Sequence, residues 1–139
     1  MQQTTQRLAA VFVALALSFL SLESVADDAR VSDASAHVLQ AEIARDRMDY
    51  LTAASEYRQA AELSDSIAIA RKATQITWSY GFYEDALASA ERWLELDEDN
   101  EEALFHVARL QLRLGNIRAS KRSYKKLIEL DGESADKRL

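Results

Sequence analysis

Beyond residue 34, apolar positions recur three and four residues apart in six separate stretches, the spacing that lays one stripe along a helix. The stripes predict helices over roughly Ser35–Arg47, Leu51–Leu63, Ser66–Tyr80, Glu84–Leu96, Glu101–Leu114 and Arg118–Leu130. Three short turn-like triplets divide them into pairs: Met48-Asp49-Tyr50, Gly81-Phe82-Tyr83 and Gly115-Asn116-Ile117, spaced by 33 and then 34 residues. A constant period of that length is the signature of a helix-turn-helix repeat array, in which each unit buries its apolar face against the next.

The chain starts differently. Leu8 to Leu22 is a 15-residue run of Leu, Ala, Val, Phe and two Ser without a charge, preceded by Arg7 and followed by Ser24-Val25-Ala26 and Asp27-Asp28. A basic start, an apolar middle and small residues before an acidic pair form the layout of a secretory signal peptide, with cleavage expected after Ala26. The competing reading, a retained membrane anchor, needs about 20 apolar residues to span a bilayer. The expected organisation is therefore a signal peptide at 1–26, a linker at 27–34, an array at 35–132 with units of 35–66, 67–100 and 101–132, and a tail at 133–139.

Composition sharpens this picture. The 139 residues contain no Pro, no Cys and only three Gly, which suits long unbroken helices. Without Cys there is no disulfide, no thiol chemistry, no Cys-ligated zinc and no lipoprotein anchor. An exported chain of that kind fits a bacterial periplasm, or secretion from it. The net charge of −6 argues against general nucleic-acid binding, which depends on neutralising phosphates.

Within the units, Ala53, Tyr57 and Ala60 follow a small, aromatic, small pattern, and Ser120 with Tyr124 repeats its first half. Val107-Ala108 supplies a large-small pair in a first helix, and Leu94-Glu95-Leu96-Asp97-Glu98-Asp99-Asn100 and Leu130-Asp131-Gly132 supply similar unit endings. In these positions the chain resembles the tetratricopeptide repeat family, over roughly residues 35–132. The resemblance implies an all-α fold of three tandem helix-turn-helix repeats, six helices in a short right-handed α-solenoid. It departs from the pattern in the second unit, where Ala90 stands for the aromatic and Trp93 for the small residue, and at Glu98, which replaces a proline. An unrelated helical bundle with a chance period is the alternative. Small residues such as Ala41, Ala53, Ala86 and Ala108 are expected to let paired helices approach closely, with Tyr57 and Tyr124 filling space towards the neighbouring unit.

The resemblance also implies a concave groove lined by the first helix of each unit. Its candidates are Val38, Glu42, Arg45 and Asp46; then Arg71, Lys72, Gln75, Trp78 and Ser79; then Glu102, Phe105, His106, Arg109 and Arg113. This set is richer in Lys and Arg than in Asp and Glu, against the acidic balance of the whole chain. With Trp78 and Phe105 it suits an extended peptide carrying acidic residues or a free C-terminal carboxylate. The fixed Lys, Asn and Arg set with which some members hold carboxylates is not met, because its Asn positions differ. The bland reading is a solvated charged face with Trp78 as packing.

Two further features concern association. Few residues follow Leu130, so Leu110, Leu112, Leu114, Leu127 and Ile128 are expected to be incompletely covered, as in an oligomer or in the front of a longer array. Arg118, Lys121, Arg122, Lys125 and Lys126 form a basic flank that suits anionic lipid heads, an acidic partner, or the acidic stretch Glu84–Glu102 of another copy. More often such a stripe is only a soluble helix face. No catalytic site, cofactor site or metal site is expected: His37 and His106 lack ligand spacing, and there is no phosphate loop or nucleophile elbow. The function implied is a periplasmic protein-binding adaptor of the kind used in envelope assembly or secretion. The rival is a self-associating structural unit, or the N-terminal piece of a longer scaffold.

Overall fold

The computed structural model describes residues 28–136, with side chains placed as far as Asp131. The expected signal peptide lies outside the described residues. The chain divides into two units, 1–32 and 33–139. Of the first, residues 28–32 are described and are helical. Everything below concerns the second.

Its helices are α1 (33–46), α2 (Tyr50–Leu63), α3 (Ile67–Ser79), α4 (Tyr83–Leu96), α5 (Glu101–Arg113) and α6 (Ile117–Asp136). Consecutive helices pack on one another, and among the described residues there is no strand. The architecture is an all-α repeat solenoid. Two helix ends differ from expectation. Helical backbone reaches back to residue 28, through the stretch expected to be a linker, and α6 runs on past Asp131-Gly132. A lone glycine costs a helix interior about 1 kcal/mol, and with no proline following, nothing forces the helix to stop there.

The period is written into the turns. Met48, Gly81 and Gly115 all adopt left-handed backbone, with φ of 61°, 82° and 79°. Around each, the same bond closes the preceding helix: Asp49 N to Ala44 O at 2.9 Å, Phe82 N to Thr77 O at 3.0 Å, and Asn116 N to Gln111 O at 2.7 Å. This is the helix-ending motif in which a left-handed residue turns the chain and satisfies a carbonyl of the last turn. After the first of these turns Asp49 caps α2 by accepting from Thr52 N, and at the link between α4 and α5 Asn100 caps α5 by accepting from Ala103 N at 2.9 Å.

Each unit buries a pair of small residues twelve apart, one on each helix: Ala41 and Ala53, Thr74 and Ala86, Ala108 and Ser120. The hydroxyls among them are satisfied locally, Thr74 to Ala70 O at 2.8 Å and Ser120 to Ala108 O at 2.9 Å. Between units the core is larger. Trp93 is buried together with Ala41, Tyr57, Ala61, Ala70, Ala73 and Ala103, so the exchange of sizes at Ala90 and Trp93 yields a filled core rather than a defect. A second cluster joins Ala86, Ala90, Val107 and Leu110, with Leu94 packed against it. Leu110 is thus covered, contrary to the sequence expectation, because α4 supplies its neighbours; Leu112 and Ile128 are exposed.

Polar ties across the joints repeat as well. Arg92 Nη2 donates to Ser64 O at 3.1 Å and meets Asp65 at 2.6 Å. One unit later, Lys126 Nζ donates to Glu98 O at 2.8 Å and lies 3.8 Å from Asp99. Part of the basic flank of α6 therefore faces the acidic stretch of its own chain.

Candidate binding groove

The first helices α1, α3 and α5 turn one face into the joints and leave the other open. None of the sequence-predicted groove residues is fully buried, though Trp78 packs against the second core cluster and His106 buries its Nδ1. At the first joint they form a closed polar hub. Glu42 accepts from the Tyr57 hydroxyl, from Lys72 Nζ at 2.5 Å and from Arg45 at 2.6 Å, and Arg45 also approaches Asp46 at 3.6 Å. The hydrogen bonds from Lys72 and Tyr57 hold the Glu42 carboxyl below its ordinary range. Burial, reinforced by that carboxylate, pushes the Tyr57 phenol far above its own. Lys72 also stands 5.7 Å above the Tyr57 ring.

The second joint carries a looser set. Arg71 pairs with Glu102 at 3.1 Å and lies 5.6 Å from the centre of the Trp93 ring. Arg109 stands 4.4 Å from Trp78 and 5.3 Å from Phe105, and Arg113 lies 4.7 Å from the Tyr83 ring while donating to its hydroxyl at 3.1 Å. Among the described residues, Arg109 and Arg113 have aromatic neighbours rather than carboxylate partners. Of five groove cations, then, Arg45, Lys72 and Arg71 are neutralised within the chain, and unpaired positive charge is concentrated at the α5 end.

Between these two halves sit two polar atoms that are buried and lack a hydrogen-bond partner, His106 Nδ1 and Trp93 Nε1, on rings 6.1 Å apart. Burial pushes the His106 imidazole below its usual pKa, so the neutral ring is the native form. Gln75 and Ser79 are exposed and Val38 is half-buried. Three contributors escape the sequence reading: Tyr57 and Trp93, buried on second helices with Lys72 and Arg71 near their rings, and Tyr83 from a turn triplet. Their aromatic character at unit boundaries was the available signal. Among the described residues no cluster of His, Asp or Glu is arranged to hold a metal ion, and no helix is long and apolar enough to cross a membrane.

No family model matches this chain, and no curated protein matches its sequence. Among solved structures it is similar to one described as the crystal structure of MamA protein, with a TM-score of 0.54 and 17% identity. The match covers 75% of this chain and 57% of that one, so this chain spans little more than half the length of the protein it resembles. At that identity the likeness is one of fold. Together with the repeating helix pairs it fits an all-α repeat solenoid.

Proposed function

We propose that this chain is an exported interaction module whose groove takes up an extended, acidic segment of a protein partner. The observation that carries the reading is Arg109, a guanidinium resting on Trp78 and Phe105 with its charge uncommitted, and repeated one turn on by Arg113 over Tyr83. An aromatic shelf holds a guanidinium flat and limits its loss of freedom, so its outer N–H groups are preorganised for a carboxylate. The Leu8–Leu22 run and Ser24-Val25-Ala26 support export to a periplasm, and envelope assembly or secretion is the proposed setting for an adaptor of this type.

The test uses fluorescent peptides of eight to ten residues carrying two Asp or a free C-terminus, each beside its neutral amide counterpart. The acidic peptides are expected to bind more tightly than the neutral ones and to weaken as salt rises. The triple variant R71A/W78A/R109A is expected to lose that preference with its helical content unchanged. Equal binding of acidic and neutral peptides, or an unaffected triple variant, refutes the groove assignment. N-terminal sequencing of the chain recovered from an envelope fraction checks export, with Asp27 as the expected first residue.

A further inference from the structure

The joint between units is made twice inside this chain, and its two halves occupy fixed places in the repeat. The upstream half is contributed by the second helix of a unit: Ala60 and Ala61 in the first, Trp93 and Leu94 in the second. The downstream half is contributed by the first helix of the following unit: Ala73 and Ile76, then Val107 and Leu110. The two halves share clusters: Ala61 and Ile76 belong to one, Leu94 and Leu110 to the next.

The same register continued by one unit in each direction falls on the two end faces. The upstream positions of the last unit are Leu127 and Ile128, and Ile128 is 73% exposed. They line a shallow depression of about 450 Å³ together with Phe105, Glu101, Glu102 and Asp131. The downstream positions of the first unit are Gln40 and Ile43 on α1; both are exposed, as is Leu39 beside them. An upstream half and a downstream half of one joint are thus both open on the same molecule.

We propose that this chain associates head to tail with further copies of itself, α1 of one copy docking on α6 of the next and continuing the internal repeat. The occupant is a second copy because the face offered by α1 is, position for position, the face that α3 and α5 already use on α2 and α4. Such a contact is heterologous: it uses two different surfaces and does not close at two subunits. Gln40 stands where Ala73 and Val107 are buried, so the α1 half is wetter than its internal counterparts. The association is therefore reversible and grows with concentration.

The chain has no cysteine, which makes thiol crosslinking unambiguous. In the full chain, Ile43→Cys and Ile128→Cys place thiols on the two positions whose internal equivalents share a cluster, and both sites are exposed enough to spare the fold. A short bis-maleimide is expected to join a mixture of the two single variants into covalent dimers. It should leave each single variant unjoined and turn the double variant into a ladder. Joining of I128C alone means tail-to-tail pairing and overturns the proposal, as does the absence of any product in the mixture, which assigns the faces to other partners. In sedimentation the unsubstituted chain is expected to grow heavier with concentration and I128D to lose that growth. Association through the apolar Leu8–Leu22 run is indifferent to residue 128, so unchanged growth in I128D also overturns the proposal.

Discussion

Glu42→Gln is the substitution that most directly tests how the groove is charged. The amide keeps the size of the side chain and can still accept from Tyr57, but the bond falls from a charge-assisted to a neutral one. Hydrogen bonds to charged groups are worth about 1.5–3 kcal/mol and neutral ones about 0.5–1.5, so about 1 kcal/mol is lost there. The contacts with Lys72 and Arg45 involve half-exposed cations and add only a few tenths each. A total loss of about 1–2 kcal/mol is expected, read by urea unfolding at neutral pH. The pH dependence supplies the sharper test. In the native protein the Glu42 carboxyl titrates below its ordinary value of 4.5, so its contribution is fully present above 4.5 and is lost as pH falls through the lower, folded value. The gap between wild type and E42Q should close over that acidic window. At neutral pH the variant also leaves Lys72 without its carboxylate and Arg45 with only the 3.6 Å contact to Asp46, so acidic peptides should bind it more tightly than wild type. A stability gap that persists unchanged at pH 3, or weaker binding of acidic peptides by E42Q, would refute the reasoning.

Further outcomes follow from other features. Gly115→Ala should cost about 1 kcal/mol through left-handed backbone alone, since a Cβ there meets nothing within 4 Å. Met48→Gly should be neutral to stabilising by under about 1 kcal/mol in the same unfolding assay. Trp93→Ala removes a side chain that is 1% exposed, and about 3–5 kcal/mol of stability should go with it. Because the folded state depresses the His106 pKa, the unfolded chain takes up its proton first; stability should decline as pH drops below about 6.5 and level off below the folded value. His106→Gln should flatten the curve in that window while leaving the lower Glu42 transition in place.

The helix pairs and their period were legible because both are local: turn residues at fixed offsets and one apolar stripe per helix. The positions of Met48, Gly81 and Gly115 alone carried the register, and each proved to be a left-handed turn. The course of α6 beyond Gly132 was not legible, since a glycine marks a helix end only when nothing longer-ranged outweighs it. The candidate residues were legible as a set of helix positions, but their charge pairing was not. Whether Lys72 is a free cation depends on Glu42, thirty residues away and in another unit. The sequence separation says nothing about that pairing. Trp93 read as an irregularity and turned out to be the centre of the core, because size was exchanged with Ala90 across one helical turn.

The joints that repeat through this fold link each unit only to its sequence neighbours, so stability propagates along the chain as in a one-dimensional lattice. Among the described residues the unit formed by α5 and α6 is tied to its upstream neighbour by Trp93, Leu94 and the Lys126 contact. Opening of that joint is expected to expose α5 and α6 to hydrogen exchange together. Arg109 and Phe105 belong to this unit, whereas Trp78 belongs to its upstream neighbour. A segment lying across Arg109 and Trp78 therefore bridges the joint, and its binding energy is spent partly on closing it. Capture of a partner and consolidation of the array become one event, with occupancy of the groove readable as slowed exchange in α6, far from any residue the ligand touches.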